Sequence, residues 1–163
     1  MVTLMAEAYA VHEKALQQTP ELFGEFLRLR LYLAALLSSA DYVQAGRRRR
    51  ELCAACGEAL SGVDVLFTAT TPAPAPLIDE LGWDYTFRRP SLTMPFNLTG
   101  SPVLATRAGF SASGLPLSFQ LVGRHFDEAT ILALGHQYEQ ATDWAGTRPS
   151  AYPLAAVQAE AFA

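Results

Sequence analysis

Gly114-Leu115-Pro116-Leu117-Ser118-Phe119-Gln120-Leu121-Val122-Gly123, followed closely by Phe126-Asp127-Glu128, is the stretch on which the reading of the fold turns. Leu117 to Val122 place aromatic, branched and apolar residues between two glycines, the pattern of a strand. Val103 to Thr106 is a second such run. The small residues of Gly109-Phe110-Ser111-Ala112-Ser113-Gly114 lie between them and suit a turn, so the two runs are expected to form a hairpin. Downstream, Asp127 is placed to cap a helix in which Ile131, Leu132, Leu134, Gly135 and Tyr138 fall toward one side. That helix is expected to end near Thr142, before Trp144-Ala145-Gly146. The alanine-rich tail after Pro153 reads as frayed or weakly helical.

Upstream of the hairpin, Thr93-Met94-Pro95-Phe96-Asn97-Leu98-Thr99-Gly100-Ser101-Pro102 reads as the start of the strand region. Leu77 to Arg89 carry little periodicity and read as irregular structure, with Trp83, Tyr85 and Phe87 as packing anchors. Val63-Asp64-Val65-Leu66-Phe67-Thr68 is a short, mostly apolar run, expected to be a buried strand. It runs into Thr71-Pro72-Ala73-Pro74-Ala75-Pro76. Alternating prolines suit a ligand for a small recognition domain, but directly after a core strand so short a run reads as a stiff connection.

Residues 1–61 read as mainly helical. From Leu4 to about Gln17, Ala6, Tyr9, Ala10, Ala15 and Leu16 alternate in blocks with Glu7, His12, Glu13 and Lys14, an amphipathic pattern. Thr19 is placed to cap a second helix, with Pro20 in its first turn and Glu21 at its positive end, running to about Leu37. Ser38, Ser39 and Asp41 offer a new cap, after which Tyr42, Gly46, Arg49, Cys53, Cys56 and Leu60 recur at close to helical spacing along a long third helix. Arg47 to Arg50 are consecutive, so a helix spreads them around a full turn; a solvated or ion-paired surface is expected rather than a phosphate-binding patch.

The chain of 163 residues is half hydrophobic, enough for one moderate core and hence a single domain or part of one. Twelve basic against 16 acidic residues leave a net charge of -4, which gives no electrostatic reason to expect a nucleic-acid partner. No apolar run approaches the ~20 residues of a membrane helix, and the first residues lack the layout of a secretory signal, so no membrane association and a cytoplasmic location are expected. Cys53 and Cys56 form a C-x-x-C with no second pair or histidine pair to complete a zinc site, so buried free thiols are the expectation, with no metal.

Three segments in one order, Asp64 to Pro76, Thr93 to Pro102, and Gly114 to Gly123 with Phe126-Asp127-Glu128, resemble the closing part of the amidase signature family. That family includes amidases and the A subunits of tRNA-dependent amidotransferases. Ala6-Glu7-Ala8-Tyr9 and Ser39-Ala40-Asp41-Tyr42 resemble what precedes these motifs, and the likeness weakens after Pro149. Ala69, where the family often has proline, is a small departure. The resemblance implies an α/β fold, a mixed β-sheet flanked by helices, of which this chain holds an incomplete sheet. Residues 1–163 then form the C-terminal part of an amidase domain: 1–61 mainly helical, 62–123 strands and Pro-rich loops, 124–143 a helix, 144–163 a tail.

Family amidases hydrolyse a carboxamide through a Ser-Ser-Lys arrangement, and the resemblance places all three residues upstream of the matched segments, with no cofactor. No catalytic residue is therefore expected here. Lys14, the sole lysine, falls on the first helix and reads as exposed surface. Gly109 to Ser113 is not a nucleophile elbow, which needs G-x-S-x-G at a strand-to-helix turn; position 113 is serine and a strand follows. His12, His125 and His136 have no evident serine or cysteine partner, so surface or packing roles are expected. Thr93, Phe96, Asn97 and Gly100 are the candidates to line a substrate pocket: the flanking prolines fix the backbone, Asn97 both donates and accepts, and Gly100 permits close approach. The bland alternative is that Asn97 satisfies neighbouring backbone groups.

In glutamine-using A subunits an acidic residue is expected shortly before the Thr-x-Pro core, whereas this chain has Arg88-Arg89-Pro90-Ser91, which favours a general amidase. The expected function is thus part of an amidase acting on a small-molecule amide when completed by the N-terminal half, and inactive alone. The alternatives are a non-catalytic module that pairs with a separate catalytic half or self-associates through an exposed strand edge, or part of an amidotransferase A subunit. Met1 or Met5 could equally be an internal methionine of a longer enzyme.

Overall fold

The computed structural model describes residues 1–82 and 84–148. The expectations for Trp83 and for the alanine-rich tail lie outside the described residues. The described residues divide into two compact units: Met1–Val63 with Pro76–Gly100, and Asp64–Ala75 with the described residues from Ser101 onward.

The first unit is helical. Helix α1 spans Val2–Gln18 and buries Leu16. It ends where Thr19 departs from helical backbone; the Thr19 hydroxyl donates back to the Ala15 carbonyl at 3.2 Å, so it does not cap the next helix as expected. The second helix is also interrupted. Pro20–Leu22 form one 3₁₀ turn, Phe23 is extended, and α2 runs only over Glu25–Ala34 with Gly24 at its N-cap. Glycine in a helix interior costs roughly 0.5–1 kcal/mol relative to alanine, so the chain breaks at Gly24; at its other end α2 stops at Ala34, short of the expected Leu37. Leu31 and Ala34 of α2 are buried.

The long helix α3, Ser39–Ser61, opens on a capping box: the Asp41 N–H donates to the Ser38 hydroxyl at 3.1 Å and the Ser38 N–H to the Asp41 carboxylate at 2.9 Å. Two otherwise unpaired backbone donors are thereby satisfied. Both cysteines lie on α3, half-buried and outside any disulfide, less enclosed than expected because the helix reaches full burial at Leu60 alone. Residues expected to be irregular carry a 3₁₀ turn at Ile78–Glu80 and a short helix α4 at Tyr85–Arg88. Asp84 precedes α4 and pairs with Arg88 at 2.5 Å. The unit closes on α5, Met94–Thr99.

The described residues of the second unit form a sheet, one α-helix and a 3₁₀ turn at Trp144–Gly146. Strands β1 (Leu66–Ala69), β2 (Val103–Phe110) and β3 (Pro116–Val122) lie in the order β1-β3-β2. Both pairings are antiparallel, Phe67 facing Leu121 and Leu104 facing Leu121, so the parallel component of a mixed sheet is not carried by these three strands. The expected hairpin is present, with Gly109 and Gly114 at positive φ and a register shift between Arg107 and Gly109. β1 is not the buried strand expected over Val63 to Thr68: it spans Leu66–Ala69 and alternates between half-buried and exposed residues. It has one neighbour among the described residues, and Phe67 remains 67% exposed while stacking on Phe119 at 4.4 Å between ring centroids.

Helix α6, Glu128–Gln140, packs on β2 and β3 and ends two residues before the expected Thr142. Its core contacts join Phe119, Leu121 and Ile131 with Val65, Leu104 and Tyr138. A Cβ on Gly135 would meet Leu104 Cδ2, so α6 and β2 pack closely at this point. The Asp127 carboxylate accepts from the Thr130 hydroxyl at 2.8 Å and makes no bond to the helix's own N–H groups, a departure from the expected cap. On the opposite face of β3, Gln120 is buried and donates to the Thr68 hydroxyl at 2.9 Å and the Ala69 carbonyl at 3.1 Å, satisfying donors that burial would otherwise leave costly.

Candidate functional site

The segment Thr93 to Gly100 is a turn of helix, not the start of a strand. Pro95 sits in the first turn of α5, where its missing N–H costs nothing. The Thr93 carbonyl accepts from the N–H groups of Phe96 and Asn97, each at 3.2 Å. Ser91 supplies the side-chain cap, its hydroxyl accepting from the Met94 N–H at 3.1 Å and lying 3.3 Å from the Thr93 hydroxyl.

At the far end the Phe96 carbonyl accepts from the Gly100 N–H at 2.9 Å and the Thr99 hydroxyl at 3.1 Å. Gly100 lies at φ 76°, ψ 21°, the left-handed conformation that ends helices. Its use differs from the expected one: no atom lies within 4 Å of a Cβ built there, so conformation and not close approach requires glycine.

Of the four candidate residues, Phe96 and Asn97 therefore lie in one short helix and Thr93 and Gly100 cap its two ends. Thr93 and Phe96 are half-buried, Asn97 and Gly100 exposed. The Asn97 side chain makes no hydrogen bond among the described residues, so it does not serve the neighbouring backbone. Its amide and carbonyl groups face outward from a turn held at both ends.

Among the hydrogen bonds that hold the backbone of this turn, two come from side chains outside it. One is Ser91. The other is Arg49 on α3, whose Nε donates to the Leu98 carbonyl at 2.6 Å. The signal for Arg49 lay in the periodic stripe Tyr42, Gly46, Arg49, Cys53, Cys56 and Leu60, which singles it out from its arginine neighbours. Arg47 bonds Gln44 at 3.4 Å and Arg48 pairs with Glu51 at 3.0 Å, both within α3.

Among the other residues weighed for chemistry, Lys14 is exposed on α1. Ser111 and Ser113 build the tip of the β2–β3 hairpin: the Ser111 hydroxyl accepts from the Leu115 N–H at 3.1 Å and lies 2.9 Å from the Ser113 hydroxyl. This connection joins two antiparallel strands, not a strand to a helix. His12 packs edge-on against Phe23 at 5.7 Å and His125 lies tilted to Phe126 at 6.5 Å. No group of three or more His, Cys, Asp or Glu side chains is placed to hold a metal ion among the described residues. No described helix is long and apolar enough to cross a membrane.

The family model described as Amidase matches residues 2–132. The chain belongs to the amidase signature family. It is 35% identical over 160 residues to the A subunit of the glutamyl-tRNA(Gln) amidotransferase of Synechococcus sp. (strain CC9902), covering 90% of this chain and 31% of that protein. Among solved structures, a crystal structure of an amidase is 33% identical with a TM-score of 0.77, over 86% of this chain and 34% of that one. The A subunit of the glutamyl-tRNA(Gln) amidotransferase of Thermotoga maritima is 27% identical with a TM-score of 0.56, over 80% of this chain and 30% of that one. The chain thus spans about a third of the length of the amidase signature relatives it matches.

Proposed function

We propose that these residues form part of an amidase that hydrolyses a small-molecule carboxamide, contributing sheet, covering helices and one wall of the substrate pocket. The observation that carries this reading is Asn97: an exposed carboxamide, unused by its own backbone, on a turn fixed at both ends. A primary amide presents a carbonyl acceptor and N–H donors, and the Asn97 side chain offers the complementary donor and acceptor. The nucleophilic serine, the bridging serine and the lysine belong, on the family's pattern, to a segment other than these 163 residues. The chain is accordingly inactive alone and pairs with that segment. We place it in the cytoplasm, where thiols such as those of Cys53 and Cys56 stay reduced.

An amidotransferase A subunit is the second reading, favoured by the 35% identity to the Synechococcus protein. Against it stands the cationic stretch before α5. Arg88 engages Asp84 and Arg89 lies over the Tyr85 ring at 4.9 Å, so the acidic group nearest that stretch is already paired and not placed to hold the amine of glutamine.

The test is co-expression with a polypeptide carrying the family's Ser-Ser-Lys segment, followed by ammonia release from primary aryl and aliphatic amides. Turnover by the complex is expected, and Asn97→Ala should lower kcat/KM by about tenfold or more, the cost of one lost polar contact in a pocket. Full activity in Asn97→Ala would remove Asn97 from the site. Turnover of glutamine alone would favour the second reading.

A further inference from the structure

We infer that Arg49 is a positioning residue for the candidate site, holding the α5 turn so that Asn97 is presented in one orientation. Arg49 is exposed, and a solvated role was expected for it. Its Nε nevertheless donates to the Leu98 carbonyl at 2.6 Å across 49 residues of sequence. Leu98 directly follows Asn97, and its carbonyl is one of those left without an intrahelical partner at a helix C-terminus. A guanidinium at that end also meets the negative pole of the helix.

The geometry selects Arg49 from its row. Arg49 lies seven residues, two helical turns, beyond Tyr42, so both project from the same side of α3. Tyr42 uses that side to bond Glu7 of α1. Arg47 and Arg48 bond within α3. The α3 stripe therefore contacts α1 through Tyr42 and the candidate turn through Arg49. Helix α5 has six residues, too few to be stable unaided, so its C-terminal carbonyl bond bears on whether the turn persists.

This inference rests on the reading that α5 faces substrate, and its test is independent of catalysis. Amide hydrogen exchange is followed by NMR in the full chain for the wild type, Arg49→Met and Arg49→Gln. Methionine keeps the length and removes the donor; the Nε2 of glutamine stands as many bonds from Cα as the arginine Nε, and restores a donor without charge. In Arg49→Met the Asn97 and Gly100 N–H groups should exchange about three- to tenfold faster, the effect of one net hydrogen bond, while amides in the middle of α1 are unchanged. Arg49→Gln should return both to near wild type. Unchanged exchange at Asn97 and Gly100 in Arg49→Met overturns the inference, as does an equal acceleration throughout the helical unit or a glutamine variant that behaves like methionine. Failure here leaves the Asn97→Ala hydrolysis result standing, and a silent Asn97→Ala leaves the exchange result standing.

Discussion

The Tyr42 hydroxyl donates a 3.0 Å hydrogen bond to Oε1 of Glu7, joining the two helical motifs Ala6-Glu7-Ala8-Tyr9 and Ser39-Ala40-Asp41-Tyr42. The hydrogen bond to Glu7 and the charge of that carboxylate hold the Tyr42 phenol above its usual 10.0, with Arg49 pulling weakly the other way. A group whose folded pKa is raised contributes stability that is complete below its unfolded pKa and is lost as pH rises through the folded value. The stability difference between wild type and Tyr42→Phe should therefore be constant from neutral pH to about 9 and shrink above about 10. Urea denaturation of both proteins across that range checks it; a difference that grows with alkalinity would contradict the contact. Tyr9 is shifted in the same direction, and comparison with the single variant cancels it.

The capping box gives an acid-side prediction. Ser38 donates to Asp41 from both its hydroxyl and its N–H, at 2.7 and 2.9 Å, and these bonds lower the Asp41 carboxyl below 3.8. A lowered pKa contributes stability above the unfolded value that is lost as pH falls through the folded one. Thermal melts should show the advantage of wild type over Asp41→Asn at neutral pH and its loss below about pH 4. Ser38→Ala should cost about 1 kcal/mol at neutral pH, the usual worth of a serine cap.

Two glycines on helices should respond in opposite senses. Gly135→Ala drives a methyl into Leu104, and such overpacking costs about 1–3 kcal/mol. Gly46→Ala on α3 meets nothing within 4 Å and should stabilise by about 0.5–1 kcal/mol through the unfolded chain. Chemical denaturation of the pair reads both signs in one experiment.

Arg107 on β2 should pin the segment after α6. Its Nη1 donates to the Trp144 carbonyl at 2.6 Å and the Thr147 carbonyl at 2.9 Å, and its guanidinium lies 5.6 Å from the Phe110 ring centroid. In Arg107→Met limited proteolysis should cut near Thr147 several-fold faster, as local opening becomes easier, with the cleavage rate within α1 unchanged.

What could be read from sequence followed the strength of the local signal. The hairpin from Val103 to Val122 and the cap at Ser38 were legible because turn glycines and a serine three residues before an acid have few alternative uses. The break at Gly24 was not, since Pro20 and Glu21 promise a helix start and the cost of one glycine decides where it fails. Thr93 to Gly100 misled for a related reason: Pro95 suits a first helical turn as well as an extended segment, and Gly100 stops a helix by its left-handed φ as readily as it admits a close neighbour. Asn97 was visible as a candidate, but that its side chain stands free of the backbone was not. Arg49 was visible only as one member of a periodic stripe, because its partner Leu98 is distant in sequence.

As proposed, these residues belong to an amidase yet carry no nucleophile of their own. Ammonia release from a panel of primary aryl and aliphatic amides by the purified chain tests it most directly. No release above the uncatalysed rate is expected. Turnover that disappears in Ser111→Ala or Ser113→Ala would contradict the claim, because it would place a working nucleophile in the hairpin tip.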